Sequence, residues 1–146
     1  MLQWHAANIT ATDSLTNLGR LNIYGGSDRS LIGTLTNQGT VLQIGNRLFL
    51  ADGAVINNQS TGTYELQSGE ITFSGGGPAT RNFDNNGTFL KTTGNQADIH
   101  VKLHNKATVK VDAGALRLFG GGTNTDATYQ IAEAANIQFI GNTHNF

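Results

Sequence analysis

Polar and apolar positions repeat along this chain at intervals of twenty to twenty-five residues. With a small residue as reference, Gly19, Gly39, Gly62, Gly87, Ala107 and Ala127 stand 20, 23, 25, 20 and 20 residues apart. Two positions earlier are polar residues, Asn17, Asn37, Ser60, Asn85, Asn105 and Thr125; two positions later are apolar ones, Leu21, Val41, Tyr64, Phe89, Val109 and Tyr129. Four positions later come Ile23, Leu66, Val111 and Ile131, and a one-residue slip in the second repeat is expected to bring Ile44 to the same place. A second set of alternating pairs follows in most repeats: Leu48/Leu50, Ile71/Phe73, Ile99/Val101, Leu116/Leu118 and Ile137/Phe139.

Both sets have period two, which places alternate side chains on opposite faces of a strand and excludes a helix. The clearest copy is Leu103 to Gly122, in which Val109, Val111, Leu116 and Leu118 should be buried while Thr108, Lys110 and Arg117 face water. A strand–corner–strand unit of this length cannot bury its own apolar face, so successive units must stack. The fold class predicted is all-β: a right-handed, single-stranded parallel β-helix, or β-solenoid, of about six turns of 20 to 25 residues. Residues 15–146 form its repeats, and residues 1–14 a cap or partial turn. The polar residue before each anchor is expected to form a ladder of side-chain amides along the axis. The runs Gly75-Gly76-Gly77 and Gly120-Gly121-Gly122 follow second strands, where tight corners demand positive φ. Lys91, standing where an apolar residue is expected, predicts a strand that ends at Phe89.

The phrases "LTNQGTV", "FDNNGTFLKTTGN" and "HNKATVKVDAGALRLFGGG" resemble the degenerate parallel β-helix repeats of large secreted or surface-displayed bacterial proteins, including filamentous-haemagglutinin-like adhesins. The resemblance runs from about Leu15 onward and implies an architecture and an extracellular or cell-surface setting. It brings no catalytic residue with it. Ala107 and Ala127 depart from the corner glycine.

Composition narrows the class further. Nineteen glycines, one proline and 13% charged residues describe an ordered, weakly charged β chain. A net charge of −1 supplies no electrostatic reason to bind nucleic acid or to lie on an anionic membrane. No apolar run approaches the roughly 20 residues of a membrane span. With no cysteine, neither a disulfide nor a thiolate metal site is available. The stretch "MLQWHAANITATDS" lacks the pattern of a secretory signal.

Candidate chemistry is sparse. The longest turn carries "SGGGPATRNFD", which makes Gly75, Gly76, Gly77, Pro78, Thr80 and Arg81 a candidate recognition loop, because insertions in a solenoid gather on loops. Thr40, Thr63, Thr88, Thr108 and Thr128 form a candidate outward ladder, but the neighbouring outward columns are mixed and threonine is also a favoured strand residue. Glu65, Glu70, Asp84, Asp98, Asp112 and Asp126 stand at unequal offsets from their anchors, so converging acid–base chemistry and an enzymatic role are not expected. "GGTNTD" approaches a calcium-binding repeat but occurs once, and His100 and His104 are expected to face solvent; no metal and no cofactor is predicted. Trp4 and His5 are read as a cap, and Asp28–Arg29 as part of an exposed loop. Asn8, Asn58 and Asn86 begin formal glycosylation triplets.

The expected function is therefore structural or adhesive: a module of an extracellular bacterial surface protein or filament, stacked head to tail on its own copies or on adjoining repeats. The C-terminal "IQFIGNTHNF" bears no blunting helix or charge cluster, so a further turn is expected to cover the last one. The alternative is a carbohydrate-binding or polysaccharide-processing β-helix, with Phe49 as an exposed ring for a sugar to stack on.

Overall fold

A computed structural model of the protein describes residues 1–5, 8–73 and 81–146, and only the backbone at 12 and 13. In chain order its strands are β1 (Leu2–Trp4), β2 (Asn8–Asn17), β3 (Arg20–Tyr24), β4 (Arg29–Asn37), β5 (Thr40–Leu50), β6 (Val55–Asn58), β7 (Thr63–Phe73) and β8 (Asn82–Asn85). They continue as β9 (Thr88–Lys91), β10 (Ala97–Ile99), β11 (Lys102–Asn105), β12 (Thr108–Val111), β13 (Gly114–Leu118), β14 (Gly122–Thr123), β15 (Thr128–Ile131), β16 (Ala135–Phe139) and β17 (His144–Asn145). There is no helix among the described residues, and the strands stack in parallel as a β-solenoid of about six turns.

Three stacks of strands make up the wall. The first follows the small-residue anchors and aligns Leu21, Val41, Tyr64, Phe89, Val109 and Tyr129 on successive rungs. The second aligns Leu48, Ile71, Ile99, Leu118 and Phe139. A third, which the strand–corner–strand reading did not separate, aligns Leu15, Leu35, Ile56, Phe83 and Leu103. Each of these residues lies two positions before a ladder asparagine, so the third strand exposes only one apolar side chain to a periodicity reading and looks like a corner. Long strands serve two stacks by bending: β4 pairs with β5 through Arg29–Leu31 and with β6 through Thr34–Asn37.

The inward columns form one continuous core, in which Val109, Val111, Leu116 and Leu118 are all buried. Each such side chain contributes about 1.5–3 kcal/mol of apolar burial. Around the third and fourth turns, Tyr64, Phe83 and Phe89 fill the interior with ring centroids 4.9 to 6.0 Å apart. Aromatic bulk suits this position, since the rings on adjacent rungs meet edge to face or stacked.

The amide ladder forms along one corner. Asn17, Asn37, Asn58 and Asn85 each donate Nδ2 to the Oδ1 of the next, at 2.7, 2.7, 2.8 and 2.7 Å, ending at Asn105. The same four amides also donate to Thr40, Thr63, Thr88 and Thr108 carbonyls at 3.0 to 3.1 Å. In the third turn the rung is Asn58 rather than Ser60, because that corner holds two extra residues; in the sixth turn Asn124, not Thr125, is the buried residue. Asn58 is fully buried, which removes it as a glycosylation acceptor in the folded chain.

Three other expectations are corrected by inward polar side chains. Gln43, not Ile44, occupies the inward position after Gly39: Gln43 is fully buried, whereas Ile44 is 42% exposed. Its amide is satisfied inside the wall, accepting from Tyr64 Oη at 2.7 Å and donating to the Glu70 carbonyl at 3.0 Å. Strand β9 runs on to Lys91, which is fully buried; its Nζ donates to the Thr93 and Ala113 carbonyls at the following corner. Arg29 does not decorate an exposed loop. It begins β4 on the inward rung beside Leu48, is 2% exposed, and donates to the carbonyls of Trp4, Tyr24, Ser27 and Asp28. Corners leave carbonyls pointing at the core, and a cation or amide reaching them from inside removes the penalty of burying them unpaired.

The anchor glycines Gly39, Gly62 and Gly87 answer to stacking rather than to torsion. A Cβ on Gly39 would sit 2.1 Å from the Gly19 carbonyl oxygen. Positive φ is instead found at Gly121 (φ +72°) and Gly122 (φ +136°), as the corner reading of that run requires. Gly75, Gly76 and Gly77 lie outside the described residues.

Candidate functional site

The threonine column occupies consecutive rungs of the first stack: Thr40, Thr63, Thr88, Thr108 and Thr128 are in register. Beside it runs Asn22, Leu42, Glu65, Leu90, Lys110 and Gln130, also in register and chemically mixed. Of the candidate recognition loop, Gly75, Gly76, Gly77, Pro78 and Thr80 lie outside the described residues. Arg81 is described and buried, with its guanidinium 5.1 Å from the Phe73 ring centroid and 4.0 Å from Asp52. Phe49 is half-buried beneath the Arg47 guanidinium, 5.2 Å from it.

The carboxylates are less dispersed than their sequence offsets imply. Arg47, Glu70, Asp98 and Arg117 stand on successive rungs of the second stack. Arg117 donates to both oxygens of buried Asp98, Nε to Oδ1 at 2.8 Å and Nη2 to Oδ2 at 2.6 Å. That hydrogen bonding raises the Arg117 pKa further. Ligand-capable atoms of Glu70, Asp98 and His100 lie within 4.8 Å of one another. A cation placed among them would compete with Arg117 for Asp98, whose charge is already balanced within the wall. His100 in turn stacks on Phe119, 4.6 Å between centroids and 8° between planes. At the opposite edge of the same face, hydrogen bonds from Arg47 hold the Asp28 carboxyl below its ordinary pKa.

His100 and His104 are both half-buried, and both line a groove on the flank. The groove follows the third stack, where Asn57, Asp84 and His104 occupy successive rungs. It consists of two adjoining cavities of about 460 and 470 Å³ that share His104 and Thr123. His104 Nδ1 accepts from the Thr123 backbone N–H at 3.3 Å and lies 2.8 Å from Thr123 Oγ1. A backbone N–H can only donate, so the neutral ring carries its proton on Nε2. Burial pushes the Asp84 carboxyl pKa up, against the opposing pull of His104 and Lys106. Phe73, Arg81, Lys102, Asn142 and Asn145 also line one cavity, and Gln59, Asn86 and Lys106 the other.

Neither constellation was visible from spacing. Glu70 stands 8 residues after Gly62 but Asp98 stands 11 after Gly87, so a corner of different length hides their shared row. The groove depends on the third strand. The repeated Asn-preceding triplet, Ile56-Asn57-Asn58, Phe83-Asp84-Asn85 and Leu103-His104-Asn105, was the available signal: its middle residues are the outward row.

Geometry thus defines the class of protein as a parallel β-solenoid with a charged wall and a polar flank groove. Compared with known proteins, the chain matches no family model, no curated protein and no solved structure.

Proposed function

We propose that the chain is a structural module of a bacterial cell-surface or secreted fibre of the adhesin type, and that its turns are continued head to tail, by a second copy or by adjoining repeats. The observation that carries this reading is the chemistry of the two end faces. On the last turn Ile131 is 50%, Phe139 41% and Phe146 77% exposed, whereas their neighbours one rung inward, Val111 and Leu118, are buried. Among the described residues β1, at the other end, pairs on one side only, with β3, and β15 pairs only with β12. Both belong to the first stack and run parallel, so a copy placed head to tail sets β1 on β15 in the sense of every rung between them. In that register Leu2 continues the Leu21–Tyr129 column and Trp4 the Ile23–Ile131 column. Open edges and exposed apolar rungs favour such pairing, and a heterologous contact propagates into a fibre when its rotation does not close.

Sedimentation across a concentration series tests the reading. Association that rises with concentration and is abolished by Ile131→Lys with Phe139→Lys, at unchanged circular dichroism, supports it. A chain that stays monomeric at every concentration overturns continuation by a second copy.

A further inference from the structure

We propose that the flank groove over β8, β11 and β14 binds an acidic oligosaccharide, a chain of sugars bearing carboxylates, laid along the solenoid axis. This goes beyond the structural role and does not rest on it, since the groove lies on the side wall and the stacking surfaces lie at the ends.

The sign of the groove is opposite to that of the chain. Over the whole sequence Lys and Arg number 9 against 10 Asp and Glu. The described residues lining the two cavities carry the cations Arg81, Lys102 and Lys106, the first of them 4.0 Å from Asp52, against the single carboxylate of Asp84. Lys102 and His104 alternate along β11 and point outward into the groove, and Lys106 lines it from the following corner. Lys102 and Lys106 are exposed, leaving their ammonium groups at the groove rim. His100 is a weaker anion contact, because it also faces Glu70 and Asp98.

The remaining lining argues for a sugar. Asn57, Gln59, Asn86, Asn142 and Asn145 present amides, each with a donor and an acceptor, the pairing that vicinal hydroxyls require. Along the third stack the outward residues Asn57, Asp84 and His104 stand on successive rungs about 4.8 Å apart, so an extended ligand laid along the axis meets a polar side chain at each step. A single-stranded nucleic acid fits less well: it needs stacking platforms and dense positive charge. Among the described residues lining the cavities Phe73 is the one phenyl ring, and it already faces Arg81, while Asp84 sits mid-groove.

Calorimetric titration of the full chain with oligogalacturonate, with a neutral galacto-oligosaccharide of equal length as comparator, tests the assignment. Acidic probe should bind at low salt, the neutral one about ten-fold more weakly or not at all, and binding should fade as salt rises toward about 0.5 M. Lys102→Glu with Lys106→Glu changes exposed positions only and should lower affinity at least about ten-fold, while Lys110→Glu, on another face, should leave it unchanged. The proposal is overturned if neither probe binds, if both bind equally, if Lys110→Glu is as damaging as the groove variant, or if polyuridylate binds more tightly than the acidic sugar. Because Ile131→Lys with Phe139→Lys removes only end-to-end association, binding by that variant separates a failed groove from failed stacking.

Discussion

Tyr64 donates its hydroxyl hydrogen to Gln43 Oε1 at 2.7 Å from the neighbouring turn, and both side chains are fully buried. Tyr64→Phe leaves the Gln43 oxygen without that donor and is expected to cost about 1–3 kcal/mol. Gln43→Leu should cost a similar amount, because it also strips the Glu70 carbonyl of its partner. The double variant should be less damaging than the sum, with a coupling of about 1 kcal/mol. Urea unfolding followed by circular dichroism measures the cycle, and strictly additive losses would refute the pairing.

Arg29 holds four corner carbonyls from inside the wall. Arg29→Met is expected to lose at least about 2 kcal/mol, since buried carbonyls lose a charged donor and nothing replaces it. Arg29→Lys should recover only part, as a single ammonium cannot span the same set. Trp4, the only tryptophan, reports locally because its carbonyl is one of the four: its emission should shift to the red in Arg29→Met before global unfolding.

Burial lowers the Lys91 pKa below its ordinary 10.5. In the window between the folded and unfolded values the unfolded chain binds more protons, so this group's contribution to stability rises with pH there and its cost is fully present at lower pH. Tyr64 works in the opposite direction, since burial raises its pKa and stability falls as the unfolded phenol ionises above 10. Lys91→Met isolates the first effect: wild type minus variant stability should climb through the alkaline range, with the tyrosines cancelling. A flat difference would show that Lys91 keeps an ordinary pKa in the fold.

Gly39 and Gly19 occupy equivalent corners with different neighbours. At Gly39 an added Cβ meets the Gly19 carbonyl at 2.1 Å, while at Gly19 nothing lies within 4 Å. Gly39→Ala should therefore cost about 1–3 kcal/mol through forced displacement, and Gly19→Ala should be near neutral. Thermal unfolding of the two variants decides it, and equal losses would place the origin in torsion instead.

The repeat was legible along the chain: anchors at Gly19 through Ala127, period-two columns such as Val109/Val111 and Leu116/Leu118, and hence parallel stacking of about six turns. A period-two apolar column carries its own meaning, because only one face of a strand can be buried. The tertiary structure alone decided the third strand, the burial of Arg29, Gln43 and Lys91, and the row joining Glu70 to Asp98. Each depends on what lies one turn above or below, through corners of unequal length. Inward polar residues in particular are tolerated for the carbonyls they meet at a corner, a partner set that no spacing along the chain records. The groove follows from the same cause: Asn57, Asp84 and His104 become neighbours only when three turns stack in register, bringing side chains 20 and 27 residues apart onto adjacent rungs.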